Sequence, residues 1–520
     1  MRLTEEQQHI VSTVASNSGV FSVLALAGTG KTTTCLATMN ELLRRGKKRI
    51  LYLVYNRSMQ DEARERAKAL GLSDIQIYTT HAFAYLYLQR NGYIRNRNID
   101  NLRTVQVKEY LNTNYRTAFW ILEVFKRFLY SPYPLNVVKP FVINLFEHSA
   151  FIQSVFEELG LSLFEVAYYL LRLTEGIEKG SLPMPHDYYL KYFTFQIAPS
   201  LSYDLVILDE AQDANPATVA LLQKLRTDRL LMVGDPNQRI YAFRQTIQAD
   251  KWFNHPTYLY LTTTFRFHEE IARQANIVLS FLNSPVLIHA KKSKTAEKPE
   301  AIISRTNAEL LPVYLESDPL TTDFERPLEE VLRLPLTVAL LYEGKTPEEL
   351  TPYFKNPYKV LDPIILNFFK DFYDLEDYAL TLMYQRNGNN GNSDAFLSSD
   401  EADLITAYNL ISKEKLTLKD ILKLIALHKE CKRKRKSQIR LYLTTAHSSK
   451  GQEYEKVSLL PGLALSESSL KSFLRNPTEK LRSELNLLYV AITRAGNTLI
   501  LPEEIENTLT LMQNPSGVLV

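Results

Sequence analysis

The segment from Phe21 to Leu43 constrains the fold more than any other part of the chain. It begins as the apolar run FSVLALAG, turns through Gly28-Thr29-Gly30 and continues as KTTTCLATMNELL, which has the composition of a helix. An apolar run that ends in a glycine turn before a helix is typical of a parallel α/β sheet. Three later apolar runs, RILYLV, DLVILDE and RLLMVGD, predict further strands. The chain is therefore predicted to have an α/β fold.

The glycine turn also has the residues of a phosphate-binding loop. Glycines let backbone N–H groups approach a phosphate, and the N-terminus of the next helix adds a favourable dipole. Lys31 is predicted to reach the β- and γ-phosphates of ATP, and Thr32 to bind Mg²⁺. The same turn without any ligand is the alternative. The predicted nucleotide contacts of the loop are Ala27, Gly28, Thr29, Gly30, Lys31, Thr32 and Thr33.

A pair of carboxylates ends the run DLVILDE. Asp209 and Glu210 follow four apolar residues, and the carboxyl ends of parallel strands face the crevice where α/β sheets bind ligands. Asp209 is predicted to bind Mg²⁺ and Glu210 to polarise the attacking water, the two tasks of nucleotide hydrolysis. Alone, such a pair is more often a solvated turn. Together with the glycine loop it predicts an ATPase.

The spacing of these motifs requires more than one domain. The chain has 520 residues, too many for one ordinary core. About 175 residues separate the glycine loop from DLVILDE, whereas a single βαβ unit takes about 30. The interval contains helix-like stretches such as TAFWILEVFKRFLY, so a helical insertion is expected there. A second insertion, with the loop NGNNGNS, is expected between AIISRTN and RLYLTTAH.

Composition sets looser limits on the class of protein. The net charge of +3 does not by itself indicate a nucleic-acid partner, and two distant cysteines fit no metal or disulfide framework. Neither a bilayer-spanning run nor the apolar stretch of a signal peptide is visible, so a cytoplasmic protein without membrane contact is expected. Basic blocks at 291–294 and 432–436 are either solvated surface or part of a nucleic-acid track.

Further short motifs follow one another along the chain. They are LTEEQ (3–7), YLVYNR (52–57), TTHAF (79–83), MPHDYYLK (184–191), GDPNQRIYAFR (234–244), LTTTFR (261–266), ISRTN (303–307), TAHSSKGQE (445–453) and ELNLLYVAITRA (484–495). This series resembles the UvrD/Rep-type DNA helicases of superfamily 1. The segment MPHDYYLK points to the branch of the F-box DNA helicase, although no F-box is visible, and the residues of that segment suggest no chemistry of their own.

The resemblance implies a specific architecture. Two RecA-like parallel-sheet lobes are expected, each with an inserted, mainly helical subdomain. The expected ranges are 1–81 and 200–256 for lobe 1, 82–199 for its insertion, 257–308 and 437–520 for lobe 2, and 309–436 for the second insertion.

The resemblance also assigns residues to ATP. Gln7 is expected to read the edge of adenine, which its amide can do as donor and acceptor. Phe265 is expected to lie against the base, and Glu453 to accept a hydrogen bond from the ribose. The catalytic set around the γ-phosphate would be Lys31, Glu210, Gln238, Arg266 and Arg494. Two arginines suit this task because their planar cations stabilise charge on the transferring phosphate.

A second set of residues is expected to contact single-stranded DNA. Aromatic rings that stack on bases, with cations beside them, bind a strand without reading its sequence. Tyr55 and Phe243 would stack, although packing in a core is the alternative for Phe243. Arg305 is expected either to contact the strand or to hold a local turn. The complete expected set is Tyr55, Arg57, His81, Phe243, Arg244, Arg305 and His447.

These expectations combine into one function. The resemblance implies an ATP- and Mg²⁺-dependent DNA helicase that moves 3′ to 5′ on single-stranded DNA and acts at junctions of single- and double-stranded DNA. It leaves room for a protein partner in repair, recombination or defence. The alternatives are a non-catalytic nucleic-acid binding module and an ATP-driven switch subunit of a nuclease or defence complex.

Overall fold

The chain folds into two compact units, residues 1–263 and residues 264–520. The structure, a computed structural model, describes residues 3–72, 75–197, 200–241, 246–291, 299–369, 400–414, 416–434 and 439–514, with several positions between 373 and 380. The glycine loop and the paired carboxylates lie in the first unit. The motifs from residue 265 onward lie in the second.

Unit 1 is built on a six-stranded sheet. The described strands of unit 1, six of which form this sheet, are β1 (Gly19–Ala25), β2 (Ile50–Val54), β3 (Gln76–Thr79), β4 (Ser202–Tyr203), β5 (Leu205–Asp209), β6 (Arg226–Thr227), β7 (Arg229–Gly234) and β8 (Thr257–Leu261). The sheet order is β3-β2-β5-β7-β1-β8 with parallel neighbours, and β4 pairs with β6 separately. Central strands β2, β5 and β7 are buried at every residue. Burial on both faces explains why these strands read as continuous apolar runs.

Helices cover this sheet and fill the interval between β3 and β4. They are α1 (Glu5–Ser16), α2 (Lys31–Arg44), α3 (Arg57–Ala69), α4 (Thr80–Arg90), α5 (Thr104–Leu111), α6 (Tyr115–Tyr130), α7 (Val138–His148), α8 (Ala150–Glu158), α9 (Leu163–Lys179), α10 (His186–Tyr192) and α11 (Pro216–Lys224). Helix α6 contains the stretch TAFWILEVFKRFLY and is buried along much of its length. A π-helical turn, Phe193–Ile197, follows α10.

Unit 2 contains a five-stranded parallel sheet. The described strands of unit 2, five of which form this sheet, are β9 (Thr263–Thr264, which begins at the last residue of unit 1), β10 (His289–Ala290), β11 (Glu300–Ser304), β12 (Thr322–Phe324), β13 (Leu441–Thr445), β14 (Tyr454–Leu459) and β15 (Ala495–Ile500). The sheet order is β12-β13-β11-β14-β15, while β9 pairs with β10. The two parallel sheets confirm the predicted α/β class.

The described helices of unit 2 surround this sheet and its own apolar cluster. They are α12 (Glu269–Phe281), α13 (Leu310–Glu316), α14 (Leu328–Tyr342), α15 (Pro363–Phe368), α16 (Asp400–Ser412), α17 (Leu418–Lys434), α18 (Glu467–Arg475), α19 (Glu479–Ile492) and α20 (Glu503–Gln513). Leu332, Leu336 and Ile421 are among the side chains buried in that cluster. No helix in the described ranges is both long and apolar enough to cross a membrane.

The predicted boundary between the two lobes needs a correction. Strand β8 had been placed in lobe 2, which was predicted to begin at residue 257. It pairs in parallel with β1, with Ala25 opposite Leu261, and therefore closes the sheet of unit 1. The alternating run TYLYL indicates a half-buried strand. Such a pattern does not say which of two sheets the strand joins.

Several predicted features lie wholly or partly outside the described residues. The loop NGNNGNS does, as do the ends of both basic blocks, Lys292, Lys294, Arg435 and Lys436. In the described part of these blocks, Lys291 is exposed beside β10 and Lys432 is exposed near the end of α17.

Candidate nucleotide site and nucleic-acid contacts

The loop between β1 and α2 has the geometry of an anion site. Gly28 and Gly30 have positive φ angles of 73° and 83°, a conformation that glycine adopts without strain. Helix α2 begins at Lys31, and its N-cap Gly30 has no side chain to satisfy the first N–H groups. Those N–H groups and the helix dipole favour a phosphate. The contacts predicted from Ala27 to Thr33 therefore lie on this loop and on the first turn of α2.

Lys31 and Glu210 form an ion pair at the centre of unit 1. The Lys31 Nζ atom lies 2.6 Å from Glu210 Oε1, and the two side chains are only 15% and 14% exposed. Burial alone would lower the pKa of Lys31, but the carboxylates of Glu210 and Asp209 outweigh it and raise the pKa. Lys31 therefore stays cationic beside the loop. The structure brings the predicted phosphate-binding lysine and the predicted catalytic carboxylate into direct contact.

Asp209 is a buried carboxylate next to this pair. Its Oδ2 atom accepts a 2.6 Å hydrogen bond from Tyr52 Oη, and Oδ1 accepts one from the Glu210 backbone N–H. Burial and the neighbouring Glu210 charge raise the pKa of Asp209 above its usual range. Such a carboxylate is stabilised by an added cation.

The residues at this point fit a magnesium ion shared with a nucleotide. The Thr32 hydroxyl on the first turn of α2 and the Asp209 carboxylate are the oxygen ligands that Mg²⁺ prefers, and the ion usually completes its shell with water and phosphate oxygens. Within the described ranges there is no cluster of three or more His, Cys, Asp or Glu that could hold a metal. A donor set of one hydroxyl and one carboxylate suits Mg²⁺ that takes its remaining oxygens from phosphate and water.

Gln7 connects helix α1 to the phosphate loop. Its Oε1 atom accepts from the Thr4 N–H in a capping box, and its Nε2 atom donates to the Thr29 carbonyl at 3.4 Å. Gly30 permits this approach because a Cβ there would lie 2.7 Å from Gln7 Nε2. The amide that was predicted to read adenine thus holds α1 against the loop.

A series of hydrogen bonds runs from Glu210 to Gln238. Gln212 Nε2 donates to Glu210 Oε2 at 2.5 Å, and Gln212 Oε1 accepts from the Asp235 N–H at 3.0 Å. Gln238 Nε2 then donates to Asp235 Oδ2 at 2.8 Å. Asp235 is 0% exposed and Gln238 is 4% exposed. The predicted γ-phosphate sensor Gln238 is thus linked to the predicted catalytic carboxylate Glu210 through two residues, Gln212 and Asp235.

The backbone around this series is unusual. Glu210 has a φ of 50°, the left-handed region that non-glycine residues seldom adopt. Gly234 approaches Gln212 so closely that a Cβ would lie 2.3 Å from Gln212 Oε1. Glu210 is therefore strained at the end of β5, and only glycine fits at position 234 beside Gln212. Backbone strain of this kind is typical of functional sites.

Two tyrosines stack beside the end of this network. The rings of Tyr55 and Tyr241 lie 5.9 Å apart between centroids with an interplanar angle of 9°. Tyr55 follows β2 and was predicted to stack on a base. Tyr241 lies three residues after Gln238 in the same motif. Phe243 and Arg244, the other predicted contacts of this motif, lie outside the described residues.

The other predicted DNA contacts of unit 1 lie near helix starts. Arg57 is exposed at the first position of α3, behind the N-cap Asn56. His81 lies in the first turn of α4, and its Nε2 atom is 2.9 Å from Asp187 Oδ1 on α10. His81 is therefore connected to the segment MPHDYYLK.

Three predicted nucleotide residues meet inside unit 2. Arg266 Nε donates to Glu453 Oε1 at 2.7 Å, and its Nη1 donates to the Thr493 carbonyl at 3.1 Å. Arg494 is 1% exposed, and its guanidinium donates to the carbonyls of Val490 and Gln452. The motif of Arg266 precedes that of Glu453 by about 190 residues, and that of Arg494 follows about 40 residues later. All three meet at the turn between α19 and β15. Phe265 is half-buried next to Arg266.

Two predicted DNA contacts of unit 2 have different surroundings. Arg305 is 8% exposed and donates to both carboxylate oxygens of Glu484, each at 2.8 Å. This ion pair links Arg305 to helix α19, 179 residues later, whereas the predicted alternatives were the DNA strand and a local turn. His447 is half-buried in the turn that follows β13.

Sequence reasoning missed four residues that the structure places at these sites. Tyr52 holds Asp209, Gln212 bridges two motifs, Tyr241 stacks on Tyr55, and Asp187 pairs with His81. Three of the four stand inside quoted motifs, while Gln212 is two residues after Glu210, the second member of the acidic pair. Their positions could have marked them as candidates. Their partners, which are distant in sequence, could not have been identified.

Comparisons with known proteins agree with this arrangement. The family model "AAA domain" matches residues 7–244, and "UvrD-like helicase C-terminal domain" matches residues 367–503. The chain is 26% identical to F-box DNA helicase protein 1 of Schizosaccharomyces pombe, over 98% of the chain and 58% of that relative. It is 21% identical to F-box DNA helicase 1 of Gallus gallus, over 98% of the chain and 50% of that relative.

A bacterial relative matches a shorter part. A probable DNA helicase II homolog of Mycoplasma pneumoniae is 24% identical over 61% of the chain and 46% of its own length. The chain thus spans about half the length of these curated relatives. The AAA-domain and UvrD-like helicase models in sequence order, together with these relatives, support a UvrD-like helicase of superfamily 1 that is similar to the F-box DNA helicase branch.

Proposed function

We propose that this chain is an ATP-dependent DNA helicase that moves 3′ to 5′ along single-stranded DNA and opens duplex at junctions. One observation supports this proposal most strongly. The series Lys31, Glu210, Gln212, Asp235 and Gln238 connects the phosphate loop to the motif that carries Tyr241. A motor needs such a connection, because a change at the nucleotide has to reach the groups that hold the strand.

The residues of unit 1 would divide the chemistry of ATP hydrolysis among them. Lys31 would neutralise the β- and γ-phosphates, and Thr32 with Asp209 would hold Mg²⁺, which supplies charge stabilisation at the transferring phosphate. Glu210 would orient and polarise the attacking water. Lys31 is the present partner of Glu210. We infer that phosphates would attract Lys31 and leave Glu210 available to the water.

Residues of unit 2 would supply further charge at the γ-phosphate. Arg266 and Arg494 are always cationic, and each presents several donors in one plane. In the structure Arg266 donates to Glu453 and to the Thr493 carbonyl. Arg494 donates to the carbonyls of Val490 and Gln452. We propose that Glu453 exchanges Arg266 for the ribose hydroxyl when ATP is bound.

The strand would be held mainly by stacking and by phosphate contacts. Tyr55 and Tyr241 present parallel rings, and each base stacked on an aromatic ring contributes about 1–3 kcal/mol. Arg57, His81 and His447 would contact the backbone. None of these groups reads base edges, so little sequence specificity is expected.

The proposal is tested by ATPase and strand-displacement assays on one set of proteins. Single-stranded DNA should stimulate the wild-type ATPase, and Glu210→Gln should lower that rate by about 100-fold or more because an amide cannot activate water. Nucleotide binding should be retained. Glu41→Gln is the matched control, since Glu41 belongs to an exposed ion pair with Arg45 in the same unit. Its rate should equal that of the wild type.

Direction is measured with streptavidin on end-biotinylated single strands. The wild type should displace streptavidin from the 5′ end and leave it on the 3′ end. The reverse pattern would refute the polarity. A wild-type ATPase that no nucleic acid stimulates would refute the helicase proposal as a whole and favour a non-catalytic module.

A further inference from the structure

Helix α10 presents a carboxylate to a histidine of the proposed DNA track. Asp187 Oδ1 lies 2.9 Å from His81 Nε2, and the side chains are 30% and 36% exposed. His81 is in the first turn of α4, whereas Asp187 is 106 residues later in the first turn of α10. The pair therefore joins two helices and remains open to solvent.

The geometry fixes which ring nitrogen carries a proton. An ionised carboxylate only accepts hydrogen bonds, so Nε2 of His81 must be the donor to Asp187. In neutral histidine the other nitrogen, Nδ1, then has no proton and cannot donate to a phosphate. Only the imidazolium can donate to Asp187 and to a phosphate at the same time. Contact between His81 and DNA backbone therefore requires protonation.

The surroundings leave Asp187 as the group that stabilises this proton. His81 also meets the rings of His186 and Tyr189 of α10 in edge-to-face contacts, with centroids 6.4 and 6.1 Å away. Tyr85 of α4 packs against Tyr189. Burial and the Asp187 charge raise the pKa of Tyr189 far above neutrality, so this phenol stays uncharged. His186 donates to or accepts from Tyr189 Oη at 3.1 Å.

We propose that Asp187 is a positioning residue that holds His81 through Nε2 and orients the ring, so that His81 as an imidazolium holds a DNA phosphate through Nδ1. This inference rests on the proposed function. It gives the segment MPHDYYLK a task, because Asp187, His186 and Tyr189 of that segment form the surroundings of His81.

The test is the affinity for a fluorescent oligo-dT strand between pH 6.0 and 8.5 at constant low salt, without nucleotide. At pH 6.5 Asp187→Asn should bind about three- to tenfold more weakly than the wild type, as expected when one ion pair no longer supports the charge. The two proteins should converge as the pH rises to 8.5, because the proposed contact needs the imidazolium. Asp187→Glu should restore most of the affinity.

Two controls separate positioning from charge and from folding. Asp187→Asn removes one negative charge, and this change alone would tighten binding to DNA. The expected weaker binding therefore cannot come from net charge. Glu158→Gln is the matched charge control, because Glu158 forms an exposed pair with Arg116 in the same unit. In a His81→Ala background, Asp187→Asn should cause no further loss.

Two outcomes would overturn the inference. One is Asp187→Asn binding as tightly as the wild type at pH 6.5. The other is an undiminished loss in the His81→Ala background, which would show that Asp187 acts through the fold and not through His81. A wild-type protein that does not bind oligo-dT at any pH would refute the proposed function itself, together with this inference.

Discussion

Replacing Gly234 with alanine tests the link between the nucleotide residues and motif GDPNQRIYAFR. The new Cβ would lie 2.3 Å from Gln212 Oε1 and 3.1 Å from the Ala211 backbone nitrogen. Real contacts of this kind are about 3.4 Å or longer. The Gln212 side chain must therefore move by about 1 Å. It cannot then keep its bonds of 2.5 Å to Glu210 and 3.0 Å to Asp235.

The magnitude follows from the buried groups that lose a partner. The Asp235 N–H would be left unsatisfied, which costs about 1–3 kcal/mol of folding free energy. Misplacing Glu210 should lower the DNA-stimulated ATPase by at least about tenfold, since 1.4 kcal/mol in the barrier is a factor of ten. Urea unfolding and a coupled ATPase assay measure the two effects on the same preparations.

A double-mutant cycle identifies the cause of the loss. Gln212→Ala removes the atom that the new methyl group meets, so Gly234→Ala should add little loss in that background. Gly71→Ala is the control for glycine replacement alone, because that glycine has a φ of 72° and open space around its Cβ position. It should cost stability without changing the ATPase rate per folded molecule. Additive losses for Gly234→Ala and Gln212→Ala would refute the reasoning.

Two further predictions concern other parts of unit 1. Tyr241→Ala should weaken binding to single-stranded DNA by about 1–3 kcal/mol and slow streptavidin displacement more than ATP turnover, because one stacking ring is lost; equal losses in both assays would contradict a stacking role. Burial lowers the pKa of Lys191 in the folded state to about 6, far below its pKa in the unfolded state. At a pH between these two pKa values, the unfolded state carries a proton on Lys191 that the folded state lacks. The free energy of unfolding should therefore rise with pH from 6.5 to 8.5, by at most about 1.4 kcal/mol per pH unit, and Lys191→Met should remove that part of the slope in urea titrations.

The sequence predicted the elements around the nucleotide site well, and the reason is local. Glycine at positive φ, an apolar strand and a helix start are specified by neighbouring residues, so the loop before Lys31 and the strand before Asp209 could be recognised directly. The confirmed strands β1, β2, β5 and β7 all belong to this class. Burial on both faces gives β2, β5 and β7 continuous apolar runs, whereas β1 alternates buried and partly exposed residues and is recognised by the glycine loop that follows it.

Contacts between residues distant in sequence could not be derived in the same way. Arg305 was left open between the strand and a local turn, and its burial against Glu484, 179 residues away, depends on how two elements pack. Strand β8 was assigned to the other lobe because its alternating pattern carries no information about its partner. Gln7 likewise donates to the Thr29 carbonyl, 22 residues away, a contact that its motif position does not reveal.

Helix α10 shows how one short segment can serve both the fold and the track. At its start, Asp187 holds His81 at the beginning of α4. One turn later Lys191, which is 0% exposed, donates to the carbonyls of Phe128 and Ser131 at the end of α6. An amino group at a helix C-terminus donates to carbonyls that have no partner within the helix. The insertion helix α6 is therefore fixed to the same seven residues that position His81, so a shift of α6 would change the orientation of the predicted phosphate contact.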